Sequence, residues 1–148
     1  MQLKRARSAM FHVILLMGIG PLCAASKYWI AGNSDLVVVG RLIDVTEKQF
    51  AGGWNLEGKI LPSELLFGSA PGRSLKFRFT CSCCPPSRRH VMEVSRRDGL
   101  WFLVRQDAAH WTSAGDCSDP GYRPIKDRGD ILQYFKSLGA DAPGRPSR

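Results

Sequence analysis

The sequence predicts an all-β protein: a small barrel or sandwich of about five strands, followed by one helix at the carboxyl end. Three observations lead there. The run Leu75-Lys76-Phe77-Arg78-Phe79-Thr80 alternates apolar and polar residues with a period of two, the pattern of a half-buried strand. Further segments rich in Val, Ile, Leu and aromatic residues are separated by clusters of Gly, Pro, Ser and Asn. Helical spacing of apolar residues occurs once, at Ile131, Leu132, Phe135 and Leu138. A handful of strands leaves unpaired edges unless the sheet closes or stacks, so a barrel or sandwich follows.

In chain order, Asp35 to Val45 is dense in β-branched residues and reads as a long strand, with Gly40 marking a bulge or bend. Ala51-Gly52-Gly53 is a hairpin turn. Trp54 to Leu61 returns, with Leu56, Gly58 and Ile60 sharing a face, and Pro62 belongs at a bulge or edge because it has no N–H for the ladder. Leu65-Leu66-Phe67 precedes a turn-rich stretch up to Arg73. Leu75, Phe77 and Phe79 then line the inner face of the clearest strand, which Cys81 continues. Gly99 to Arg105 is continuously apolar, so both of its faces are expected to be covered. His110-Trp111-Thr112 begins a short strand. The helix is expected to start at Gly129 or Asp130, where an acid favours the dipole, and to stop at Gly139. Ala140 to Arg148 is a Gly, Pro and Ser tail, expected to be disordered.

The first 25 residues set the expected compartment. Lys4, Arg5 and Arg7 precede an apolar stretch from Ala9 to Leu22, and small residues follow at Ala24, Ala25 and Ser26. That order is the signature of a secretory signal peptide, with cleavage near Ala24 or Ala25. A membrane anchor needs roughly 20 apolar residues; this stretch is shorter and contains Gly18, Gly20 and Pro21. Cys23 follows Pro21 and Leu22 rather than the small residues of a lipid-attachment site, and it is assigned to the discarded segment. Residues 26–139 are then one domain, expected to be periplasmic or secreted, monomeric and without a transmembrane span.

The formal net charge of the 148 residues is +8, and loss of Lys4, Arg5 and Arg7 lowers it to +5. The remaining Lys and Arg are scattered among acids. The tightest groups, Arg88-Arg89 and Arg96-Arg97, lack the interleaved aromatics of a nucleic-acid surface. Nucleic acid is therefore not an expected partner.

The runs SDLVVVGRLIDV, ILPSELLFGSAPGRSLKFRFT, DGLWFLVRQD and GDILQYFKSLG together resemble the netrin-like, metalloproteinase-inhibitor-like OB-fold domains of exported bacterial proteins, over roughly residues 33–138. The resemblance implies a five-stranded Greek-key OB-type barrel with a C-terminal closing helix, usually disulfide-linked. Animal inhibitors of that superfamily chelate a protease metal through an amino-terminal cysteine. Here the mature chain is expected to begin near Ser26-Lys27-Tyr28, so that mechanism does not carry over.

The stretch Phe79-Thr80-Cys81-Ser82-Cys83-Cys84-Pro85-Pro86 gathers three thiols, with Cys117 downstream. In an oxidising compartment these four are most simply two disulfides. Neighbours Cys83 and Cys84 make a strained pair, and Cys81 and Cys83 on one strand are badly placed for the geometry a bond requires. The favoured pairing is Cys81 with Cys84 and Cys83 with Cys117; Cys81 with Cys117, leaving two thiols, stays open. A link to Cys117 closes a loop of roughly 30 residues, for which chain entropy gives about 3 to 4 kcal/mol. One alternative is Cu or Zn binding by Cys81, Cys83, Cys84 and His90, since thiolates suit both metals. Another is thiol–disulfide exchange through Cys81 and Cys84, although the reactive thiol of such a site sits at a helix amino terminus and Pro85-Pro86 offers none.

A cysteine hydrolase would combine Cys84 with His90 or His110 and use Asp116 as orienter, a constellation without any family spacing. His90 beside Arg88 and Arg89 reads as a solvated histidine, His110 as a strand start, and Asp116 and Asp119 as turn formers. Neither a phosphate-binding Gly loop nor a Ser-centred elbow is present. Trp101 is assigned to the core. Trp29, Trp54 and Trp111, near strand ends, could line a saccharide or peptide surface. The expected function is binding of a partner protein or an envelope component, with neither catalysis nor cofactor; the second reading is a thiol-based metal or redox protein.

Overall fold

Alternating apolar residues in successive strands only become a core if the strands curl, and here they close into a ring. The structure is a computed structural model that describes residues 26–69, 72–82, 93, 97–116 and 121–139. Its elements are α1 (Lys27–Gly32), β1 (Leu36–Phe50), β2 (Gly53–Phe67), β3 (Leu75–Cys81), β4 (Gly99–Arg105), β5 (His110–Ser113), β6 (Tyr122–Pro124), a 3-10 turn (Ile125–Asp127) and α2 (Arg128–Ser137). β1 pairs antiparallel with β2, and β2 with β3. β3 runs parallel to β5, and β5 antiparallel to β4. β4 returns to β1 from Leu36↔Leu103 to Gly40↔Gly99 and completes the circuit. This is a five-stranded OB-type Greek-key barrel with a C-terminal helix. The short β6 extends the sheet beside β4.

Closure depends on bends in the two long strands. The β1–β2 ladder shifts register between Val39 and Gly40, where Ser63 is the extra residue beside Pro62, and again between Ile43 and Thr46. Such bulges bend a strand and increase its twist. Gly40 is needed at the first, because a Cβ there would lie 2.6 Å from the Leu61 carbonyl oxygen. Pro62 thus sits at a bulge, as its missing N–H predicts.

Two apolar clusters result. Inside the barrel lie Leu36, Val38, Leu42, Trp54, Leu56, Ile60, Phe77, Trp101 and their neighbours. On the outside, Val37 and Val39 of β1, Leu66 of β2 and Leu100 and Phe102 of β4 are covered by Ile30 and Ala31 of α1 and Ile131 and Phe135 of α2. β4 feeds both clusters with alternate residues, which accounts for its unbroken apolar sequence. The Phe67 and Phe135 rings stack at 4.4 Å. Two ion-paired clusters tie the helices down: Arg128 donates to both Glu64 oxygens through the Nε and Nη2 edge of its guanidinium, and Lys27 bonds Asp127 and Asp130.

Several boundaries differ from the sequence reading. β1 continues to Phe50 instead of ending at Val45, because its polar half needs only β2 as a partner. Trp54–Leu61 and Leu65–Phe67 are one strand, the bulge absorbing Pro62. Gly53 belongs to β2, leaving Ala51 and Gly52 as the turn. α1 and β6 have no counterpart in the sequence reading, and α2 begins at Arg128. Gly139 follows α2 with φ +65°, the left-handed stop its position predicts. The proposed signal peptide and tail lie outside the described residues, in which no helix is long and apolar enough to cross a membrane.

Candidate functional site

The helices cover one side of the barrel, including the end of β2 at Leu66, and leave exposed the outer face of β3, β5 and the part of β2 that pairs with β3. That face follows directly from strand alternation: Leu75, Phe77, Phe79 and Cys81 turn inward, so Lys76, Arg78 and Thr80 turn outward. The register places Lys59 of β2 opposite Lys76, and Lys76 opposite His110 of β5. Glu57 lies opposite Arg78, and Asn55 opposite Thr80. In OB folds this surface, bounded by the β1–β2 and β4–β5 loops, is a common ligand platform.

A chain of polar contacts crosses it. The Thr80 hydroxyl donates to Asn55 Oδ1 at 2.7 Å, and Arg78 Nε donates to Glu57 at 2.9 Å. Arg78 Nη2 lies 3.4 Å from His110 Nε2, and His110 Nδ1 lies 3.0 Å from both Asp107 oxygens. Lys59 Nζ donates to Asp44 at 2.9 Å. Asp107 sits in the β4–β5 loop, where its Oδ1 accepts from the backbone N–H of Ala109 at 2.7 Å and of His110 at 2.8 Å. The Ala109 bond, with those from His110, holds the Asp107 carboxyl below its ordinary range. Arg105, at the edge of this region, lies 4.1 Å over the ring of the buried Trp111.

Cys81 is fully buried at the end of β3, opposite Trp54, and is disulfide-bonded. Cys83, Cys84, His90, Cys117 and Asp119 lie outside the described residues, so the proposed thiol cluster and its pairings do too. Among the described residues, no three His, Cys, Asp or Glu side chains gather as a metal site. His110 is held by Asp107, and not by the Asp116 that a cysteine hydrolase would have used as orienter. The signal for Asp107 was present: an aspartate three residues ahead of a strand start, with small residues between, is positioned to cap its own turn.

Trp101 is in the core, as the sequence predicts, but Trp54 and Trp111 are buried too, so neither lines an open surface. Trp29 is 57% exposed and belongs to α1, on the opposite side from the charged face, rather than to a strand end. No family model, curated protein or solved structure matches the chain.

Proposed function

We propose that this is an exported, disulfide-stabilised binding module without catalytic activity, and that the outer β2–β3–β5 face is its contact surface. The observation that carries the reading is asymmetry: large apolar side chains and both helices seal one side of the barrel, whereas this side carries an exposed, hydrogen-bonded array of both charge signs. Mixed charge gives specificity of contact and register more than raw affinity. The partner is a protein or an envelope component.

Lysine-directed crosslinking in cells of native origin tests this. Lys59 and Lys76 mark the proposed face, and Lys126 and Lys136 mark the helical side. Adducts with one partner concentrated at Lys59 and Lys76 support the reading. Adducts distributed equally over all four lysines, or concentrated at Lys126 and Lys136, refute it.

A further inference from the structure

Within the charged face, one row of side chains opposes folding stability. Lys59, Lys76 and His110 stand directly opposite one another on three adjacent strands. Like charges placed this way repel, and strand-to-strand spacing keeps them about 5 Å apart. Lys59 relieves its repulsion with Lys76 by leaning to Asp44, and His110 bonds Asp107. Arg78, two residues along β3 from Lys76, bonds Glu57 and reaches His110. Glu57 and Asp107 each bond a neighbour of Lys76, whereas Lys76, at the centre of the row, is exposed.

We propose that Lys76, Arg78 and His110 form an anion subsite for the phosphate group of a soluble ligand. This rests on the β2–β3–β5 face being the contact surface. A carboxylate ligand would compete on equal terms with Glu57 and Asp107, which are tethered in place. A phosphate monoester carries about −1.5 to −2 charge and three acceptor oxygens, which suits the Lys76 ammonium and the Arg78 guanidinium, with the His110 ring beside Arg78. Lys supplies a point charge and Arg a directional donor, the usual pair for phosphate. A lipid surface is disfavoured because Asn55, Glu57, Lys59, Lys76, Arg78 and Thr80, the side chains around the subsite, are all polar; the exposed Leu61 and Phe50 lie at the margin of the face, and Tyr28 and Trp29 on α1.

The test is an NMR titration of the folded protein at pH 6.5 and fixed ionic strength with inorganic phosphate, with acetate as the charge control. Saturable shifts are expected at Lys76, Arg78 and His110 with phosphate and not with acetate. Lys76→Gln should weaken phosphate binding at least tenfold, whereas Lys126→Gln on the helical side should leave it unchanged. Unsaturable shifts throughout the molecule, an equal response to acetate, or a Lys76→Gln titration identical to wild type would each overturn the subsite. Lys76-dependent sedimentation with phosphatidic acid vesicles would overturn its assignment to a soluble ligand. If crosslinks concentrate on the face while phosphate fails to saturate, the subsite is wrong and the contact surface stands. If phosphate saturates but crosslinks fall on the helical side, the subsite holds an ion and the partner surface is elsewhere, which overturns the link between them.

Discussion

Trp54 and Trp101 both point into the barrel, yet they differ in one hydrogen bond. Trp101 Nε1–H donates to the Gly40 carbonyl at 3.1 Å, at the bulge that bends β1. Trp54 Nε1 is buried and has no acceptor among the described residues. An unmade buried hydrogen bond costs about 1–3 kcal/mol, so removing the donor refunds part of what a smaller ring loses. Trp101→Phe is therefore expected to destabilise by about 2–4 kcal/mol, through lost volume and an orphaned carbonyl, and Trp54→Phe by about 1 kcal/mol or less. Urea unfolding of both variants checks this; equal losses would mean that Trp54 has a partner in solution. At this scale the sequence identified buried side chains better than their polar obligations. Trp101 was legible as core from its apolar neighbours, but whether an indole finds a carbonyl depends on a bulge three strands away in sequence.

Elements are held by contacts between distant segments, and those are the parts that local pattern misses. β6 lies on β4 with the Tyr122 ring directly over Gly99, so close that a Cβ on Gly99 would come within 2.1 Å of the ring. Gly99→Ala should displace Tyr122 and detach β6 from β4, seen as faster amide exchange in residues 122–124 and a loss of about 1–3 kcal/mol. Unchanged exchange there would show that Tyr122 relocates without disturbing the strand. α2 was legible from its 3.6-residue spacing because its buried stripe is long enough to be periodic. α1 was not: six residues bury only Ile30 and Ala31, and its Ser26 cap, which accepts from the Tyr28 N–H, is a short signal. The Glu64–Arg128 contact that fastens α2 has a definite pH dependence. The hydrogen bond from Arg128 lowers the Glu64 pKa from its ordinary value. Because the folded value is the lower one, this contribution is complete above the ordinary glutamate range, near pH 4.3, and is lost as pH falls through the folded value. Glu64→Gln should thus lower stability at pH 7 and flatten the decline in Tm between about pH 5 and pH 3. An unaltered acid slope would mean that Glu64 and Arg128 are solvated independently.

For the whole molecule, the barrel was legible because five strands with inward alternation leave little choice but closure, whereas the charged face was not. Lys59, Lys76 and His110 are far apart in sequence and meet only through the β2–β3–β5 register, which no local pattern specifies. The same limit applies to the cysteines, whose proximity in sequence suggests chemistry but whose pairing depends on where the chain between β3 and β4 runs. A structural clasp and a working thiol site make opposite demands on the folded protein. A clasp consumes Cys81, Cys83, Cys84 and Cys117 and holds the β3 end against the remainder of the barrel; a metal or redox site keeps thiols reactive. Protein from its native compartment, alkylated before reduction and weighed intact, should gain no label, and reduction should then lower Tm by on the order of 10 °C, given about 3 kcal/mol for a loop of this size. Two or more labelled thiols, or a mass increment from bound copper or zinc under native conditions, would move the function from the β2–β3–β5 face to the cysteine cluster. The buried Cys81, fixed opposite Trp54 at the end of β3, makes the first result the one the barrel's packing favours, since a fully desolvated sulfur is poorly placed to meet either a metal or a redox partner.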